Sequence, residues 1–115
     1  MNATLRHTGL VVVDLDRAVE FWCSALGFKV WRRMEESGRT LDSVMGLEGV
    51  LVTTVKLIDP NGGLLELLHF HSHPDIPEWT GVPFSTGLTH IALTVDDVEA
   101  VCKKVVDLGG SHHTV

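Results

Sequence analysis

The chain of 115 residues has room for one domain, and with 44% hydrophobic residues it can bury a core of its own. Its net charge is −6 and its basic residues gather only in the pairs Arg32-Arg33 and Lys103-Lys104, which argues against a nucleic-acid partner. No apolar run approaches the roughly 20 residues of a membrane span, and no basic stretch followed by an apolar one opens the chain, so neither a membrane partner nor a signal peptide is expected.

Residues 5–13 are rich in Val and Leu and predict a first strand. Asp14 is a natural N-cap for a helix whose stripe is Leu15, Ala18, Val19, Trp22 and Leu26, with Gly27 as its stop. Residues 28–34 predict a second strand, with Val30 and Trp31 among charged residues. Residues 38–46 fit a short helix through Thr40, Leu41, Val44 and Met45. The β-branched run at 49–58 predicts a third strand. Asp59-Pro60-Asn61-Gly62 is turn chemistry, and Asn-Gly signals a hairpin returning through 64–70. The expected class is α+β, with a βαβββ module over residues 1–70. Residues 71–86 hold three of the four prolines and read as a linker.

Residues 87–115 start a second copy. His7-Thr8-Gly9-Leu10-Val11-Val12-Val13-Asp14 aligns without a gap with His90-Ile91-Ala92-Leu93-Thr94-Val95-Asp96-Asp97. Each copy is an apolar strand, an acidic helix start and a helix that ends at glycine, Gly27 in the first and Gly109-Gly110 in the second. The second helix carries Val98, Val101, Cys102, Val105 and Leu108 on one stripe. Three further strands would need roughly 25–35 more residues, so the second module is expected to be incomplete. Cys23 and Cys102 fall in the two predicted helices without a nearby partner. They read as buried thiols of a reducing compartment, and a cytoplasmic location is expected.

Strand alternation puts His7, Gly9, Val11 and Val13 on one face and His90, Ala92 and Thr94 on the matching face of the second copy. Alone, each histidine reads as a strand-end or surface residue. As a pair at equivalent positions of a repeat, they can stand about a shared cleft, and small neighbours at Gly9 and Ala92 leave room for a ligand. Glu66 lies between two leucines on each side. Such a carboxylate costs several kcal/mol unless it is paired, bound to metal or turned to water on an edge strand. Two imidazoles and a carboxylate are ordinary ligands for Fe, Mn, Ni, Co or Zn, so His7, Glu66 and His90 form the candidate set for a divalent metal ion. His69, His71 and His73 share the opposite parity and are expected to point away from Glu66, as solvated or linker residues. His112 and His113 have no predicted place. A phosphate loop, a Ser-His-Asp order and an HExxH helix are all absent from the sequence.

Several motifs, taken in order, resemble the vicinal oxygen chelate superfamily, also called the glyoxalase/bleomycin-resistance/dioxygenase fold. They are residues Leu5 to Val12, the Asp14 to Trp22 helix, Ala25-Leu26-Gly27-Phe28, Leu64-Leu65-Glu66-Leu67-Leu68 and Thr89 to Val95. The resemblance implies paired βαβββ modules curled into a cup around a divalent metal. Its ligands come from the first and last strand of each module, which here gives His7, Glu66 and His90. The fourth family ligand, usually a glutamate, lies on a strand that these residues do not reach. The implied activity is that of a metal-dependent lyase or isomerase resembling lactoylglutathione lyase or methylmalonyl-CoA epimerase. It would stabilise an enediolate of a small carbonyl or thioester substrate, with Glu66 as the visible catalytic base. The alternatives are a metal-free small-molecule binding protein of bleomycin-resistance type, an extradiol-dioxygenase-like member and an inactive fragment. Half of a second module leaves a sheet edge and a cup wall uncovered, so a homodimer is expected.

Overall fold

The computed structural model describes residues 1–113. Its elements, in chain order, are β1 (Thr8–Val11), α1 (Leu15–Glu20), β2 (Lys29–Ser37), α2 (Arg39–Met45), β3 (Leu51–Ile58), β4 (Leu64–Phe70) and α3 (Val98–Asp107). A π-helical turn, Phe21–Ala25, continues α1. The four strands form one sheet in the order β1-β4-β3-β2. The β2-β3-β4 part is an antiparallel meander, and β1 lies parallel to β4. Parallel neighbours need a long crossover, and all the chain between β1 and β4 supplies it.

Local chemistry sets the joints. The Asp14 side chain accepts from the Arg17 N–H at 3.1 Å and starts α1. Gly27 adopts φ 73° and its N–H closes on the Cys23 carbonyl, which releases the chain into β2. The β3–β4 hairpin is held by Asp59, whose Oδ1 accepts from the Asn61 and Gly63 N–H groups at 2.8 and 2.9 Å. That turn pairs Ile58 with Leu64 and fixes the register of everything beyond it. A bulge at Trp31, between paired Val30 and Arg32, brings Arg32 opposite Lys56.

The core lies between α1 and one face of the sheet. Leu15, Phe28, Val55, Leu57, Leu65 and Leu67 are buried together. Leu10, Val12, Ala18, Val19, Trp22, Cys23 and Leu26 pack around them, and the helix stripe read from the sequence, Leu15, Ala18, Val19, Trp22 and Leu26, lies wholly within this group. Trp22 and Phe28 meet edge to face at 5.2 Å. Burial of Leu57 and Leu67 fixes the odd-numbered residues of β3 and β4 on the helix side. The even-numbered ones, Lys56 and Glu66 among them, therefore face the other way.

The second copy is present as its helix. α3 is capped by Asp97, whose side chain accepts from the Ala100 N–H at 3.0 Å, as Asp14 caps α1. It packs against the π-helical turn. Gly109, at φ 101°, ends it, with the Gly110 N–H donating to the Val105 carbonyl. The strand expected over residues 87–95 does not form. The alternation is there in Ile91 and Leu93, but a strand exists only as part of a ladder, and the described residues pair none with it. No described helix is long and apolar enough to cross a membrane.

Candidate functional site

Glu66 sits in the middle of β4, with Gly9 of β1 on one side and Lys56 of β3 on the other; Arg32 of β2 follows Lys56 in the same row. All four face away from α1. His7, two residues before Gly9, keeps its parity and turns to the same face. Its Nε2 lies 3.7 Å from Glu66 Oε1, and Lys56 Nζ lies 3.6 Å from Glu66 Oε2. The side chains of His7, Glu66 and Lys56 are 31%, 14% and 23% exposed, so screening by water is reduced around all three. His7 Nδ1 is buried without a hydrogen-bond partner. Gly9 stands beside Glu66 without a side chain, and the Leu68 side chain closes over it: a Cβ on Gly9 would meet Leu68 Cδ1 at 3.3 Å.

His7 and Glu66 thus come together, while His90 does not join them. His90 is exposed and its Nδ1 lies 2.9 Å from Thr89 Oγ1. It borders a cleft of about 780 Å³ that Gly9, Val11, Trp22 and Trp79 also line. Among the described residues, no group of three or more His, Cys, Asp or Glu could hold a metal ion. The separation of His90 follows from the missing strand: without a ladder over 87–95, nothing sets the register of the second imidazole against the first.

His69 and His71 point away from Glu66, as their parity predicts, but they are hydrogen-bonded within the protein rather than solvated. His69 Nδ1–H donates to the Val12 carbonyl at 3.2 Å, and His71 shares a hydrogen bond of 2.6 Å with the buried Thr53 hydroxyl. His73 bonds Ser72, and His113 bonds Ser111. His112 is exposed. Lys56 is the site residue that the sequence reading missed. Its signal was of the same kind as that of Glu66, a lone charge inside an apolar strand, Val55-Lys56-Leu57.

The Glyoxalase/Bleomycin resistance protein/Dioxygenase superfamily model matches residues 4–114. The chain belongs to this superfamily. Two proteins named probable lactoylglutathione lyase are similar to it. The one from Synechocystis sp. is 28% identical over 109 residues, 92% of this chain and 70% of the relative. The one from Vibrio parahaemolyticus is 27% identical over 112 residues, 96% of this chain and 70% of the relative. A glyoxalase family protein from Bacillus cereus superposes with a TM-score of 0.84 at 26% identity, over 94% of this chain and 74% of that one. The trypanothione-dependent glyoxalase I of Leishmania major superposes with a TM-score of 0.59 at 26% identity, over 93% and 65%. The superfamily and the α+β fold expected from the sequence are those found.

Proposed function

We propose that the chain is a lyase or isomerase of glyoxalase type, acting on a small carbonyl or thioester substrate with the help of a divalent metal ion. The observation that carries this reading is the meeting of His7 and Glu66 on the helix-free side of β1 and β4, in a member of a superfamily whose similar proteins are named lactoylglutathione lyase.

The donors fit the metal in part. An imidazole nitrogen and a carboxylate oxygen 3.7 Å apart need only a small adjustment to reach a common ion at about 2.0–2.2 Å from each. His7 Nδ1, buried and unpartnered, leaves Nε2 as the nitrogen turned toward the carboxylate. His7 and Glu66 would hold the ion, with His90 from the neighbouring cleft as the proposed third ligand. Such an ion would polarise the substrate carbonyl and so favour proton transfer at the adjacent carbon. In this reading Glu66 is the base that takes that proton. A second copy of the chain would cover the apolar surface around the cleft and supply the remaining wall. The cytoplasm is the compartment that suits its two free thiols.

A metal-free binding protein is the second reading. What favours it is Lys56, which gives Glu66 a counter-charge of its own. Elemental analysis of purified protein separates the two. The lyase reading expects a bound divalent metal that falls with His7→Ala and with Glu66→Gln, and turnover of lactoylglutathione that falls in parallel. Metal stoichiometry unchanged by either substitution would overturn the site.

A further inference from the structure

We infer that the outer edge of β2 is a self-complementary surface, which pairs antiparallel with the same edge of a second copy of the chain, Met34 opposite its own counterpart. This contact is separate from the apolar surface around the cleft, and it does not depend on the metal reading above.

The strand order β1-β4-β3-β2 leaves β2 (Lys29–Ser37) at one side of the sheet. Among the described residues, no turn or loop backbone bonds to the backbone of that strand. The ladders tell which of its groups face outward. The His71 N–H donates to the Leu51 carbonyl and the Asp59 N–H to the Gly63 carbonyl, so the odd-numbered residues of β3 turn their backbone groups to β4. The even-numbered ones turn to β2, where they meet Arg32, Met34 and Glu36. Arg33, Glu35 and Ser37 are left with N–H and C=O directed away from the sheet.

Another strand can bond only to those groups, so an antiparallel copy of β2 must set odd-numbered residues opposite odd-numbered ones. Charge then selects the register. With Met34 opposite its counterpart, Arg33 meets Glu35 and Arg32 meets Glu36, each twice by the two-fold symmetry of such a pair. A slip of two residues in either direction sets Arg33 opposite Arg33 or Glu35 opposite Glu35, and like charges directly opposite repel. The run Arg32-Arg33-Met34-Glu35-Glu36 is thus complementary to its own reversal, in the one parity that the backbone allows. Its charges are free to be used. Arg32, Arg33 and Glu35 are exposed, and among the described residues no ion pair engages them; Glu36 gives Oε2 to the Thr54 hydroxyl and keeps Oε1. Charged edge residues guard a sheet against foreign strands, and here the same charges admit a copy. The bulge at Trp31 ends the regular stretch, so the contact is one short strand long. It is smaller than a permanent interface and belongs to higher concentrations than pairing around Trp79.

Sedimentation of the full chain, carried in Trp79→Asp so that the cleft surface does not contribute, tests this over a series reaching high micromolar concentration. The expected result is a mass that rises with concentration, an association weakened at least about tenfold by Arg33→Glu, and recovery when Glu35→Arg is added to Arg33→Glu, which restores unlike pairs. Glu35→Lys, with the same expected loss and with Arg33→Glu as its restoring partner, replaces the single variant if circular dichroism shows that it does not fold. Oxidation reads the register. Met34→Cys should give a disulfide-linked pair on a non-reducing gel, above the background set by Cys23 and Cys102 in the parent, because residue 34 faces its own counterpart. Arg32→Cys, which faces Glu36, should not. A mass that stays at one chain throughout the series, or a charge swap that fails to restore association, would overturn the pairing. Arg32→Cys linking as readily as Met34→Cys would overturn the register.

Discussion

Cys23 lies in the π-helical turn and packs against the core, and burial pushes its thiol up from the ordinary range. The thiolate is the nucleophile, so Cys23 carries less of it at a given pH than a free thiol does. Iodoacetamide at pH 8 should modify Cys23 more slowly in the folded protein than in the urea-unfolded chain, with the folded rate climbing as pH rises further; mass mapping of the modified peptide reads it. Equal rates would show that the turn opens freely. The same shift has a stability sign. A pKa raised on folding means that the folded state holds the proton more firmly, so its stabilising contribution is complete below the ordinary thiol range and fades as pH climbs through it. At this scale the sequence was informative where a charge stood out from its neighbours. Glu66 between leucines could be read as a site residue because a carboxylate there demands a partner. Lys56 carried the same information one strand away, and only the pairing of Lys56 with Glu66 shows that each is the other's answer.

At the scale of elements, the two helices that begin matching copies share one device. Asp14 and Asp97 each accept a backbone N–H three residues on. Loss of such a cap costs about 1 kcal/mol. Asp14→Ala should lower the unfolding free energy by that amount in a urea titration, because α1 covers the core and cannot fray without exposing it. Asp97→Ala should cost less, because α3 has no fully buried residue. Equal losses would mean that α3 is as integral to the core as α1. Element boundaries were legible where the sequence carries its own punctuation. Asp59 to Gly63 delimits β3 and β4, and Gly38 and Gly46 bracket α2. They were less legible where pairing decides. Composition predicts a first strand over residues 5–13, but its ladder on β4 holds only Thr8–Val11. The second is predicted to end at Met34, yet it runs to Ser37 because β3 offers partners as far as Leu51 that Glu35 and Glu36 do not announce. The run at 87–95 has strand composition and no ladder, since a partner strand is a property of distant residues.

The whole molecule is spread wider than its length requires. Its radius of gyration is 15.8 Å, against about 13 Å for a compact chain of this size. Its accessible surface is 9006 Å², against roughly 6,200 Å² for a compact monomer of its 12.6 kDa mass. Trp79, Phe84, Leu88, Ile91 and Leu93 stand among the exposed large apolar residues. Covering that difference on both chains of a dimer would bury about 5,600 Å² in total, at the upper end of permanent interfaces. Sedimentation at micromolar concentration should therefore give twice the chain mass, and Trp79→Asp should shift it toward one; a cooperative melt that ignores protein concentration, at the mass of a single chain, would refute the dimer. The place of β1 in the sheet has a kinetic consequence as well. The β3–β4 hairpin closes through a short turn and β2 joins it across α2, whereas β1 joins β4 only across all of these elements, so local contacts favour the β2-β3-β4 meander first. His7 rides on that last-arriving strand. The hairpin core is therefore expected to form before His7 meets Glu66, and pulsed hydrogen exchange during refolding should protect the β3–β4 amides ahead of those of β1.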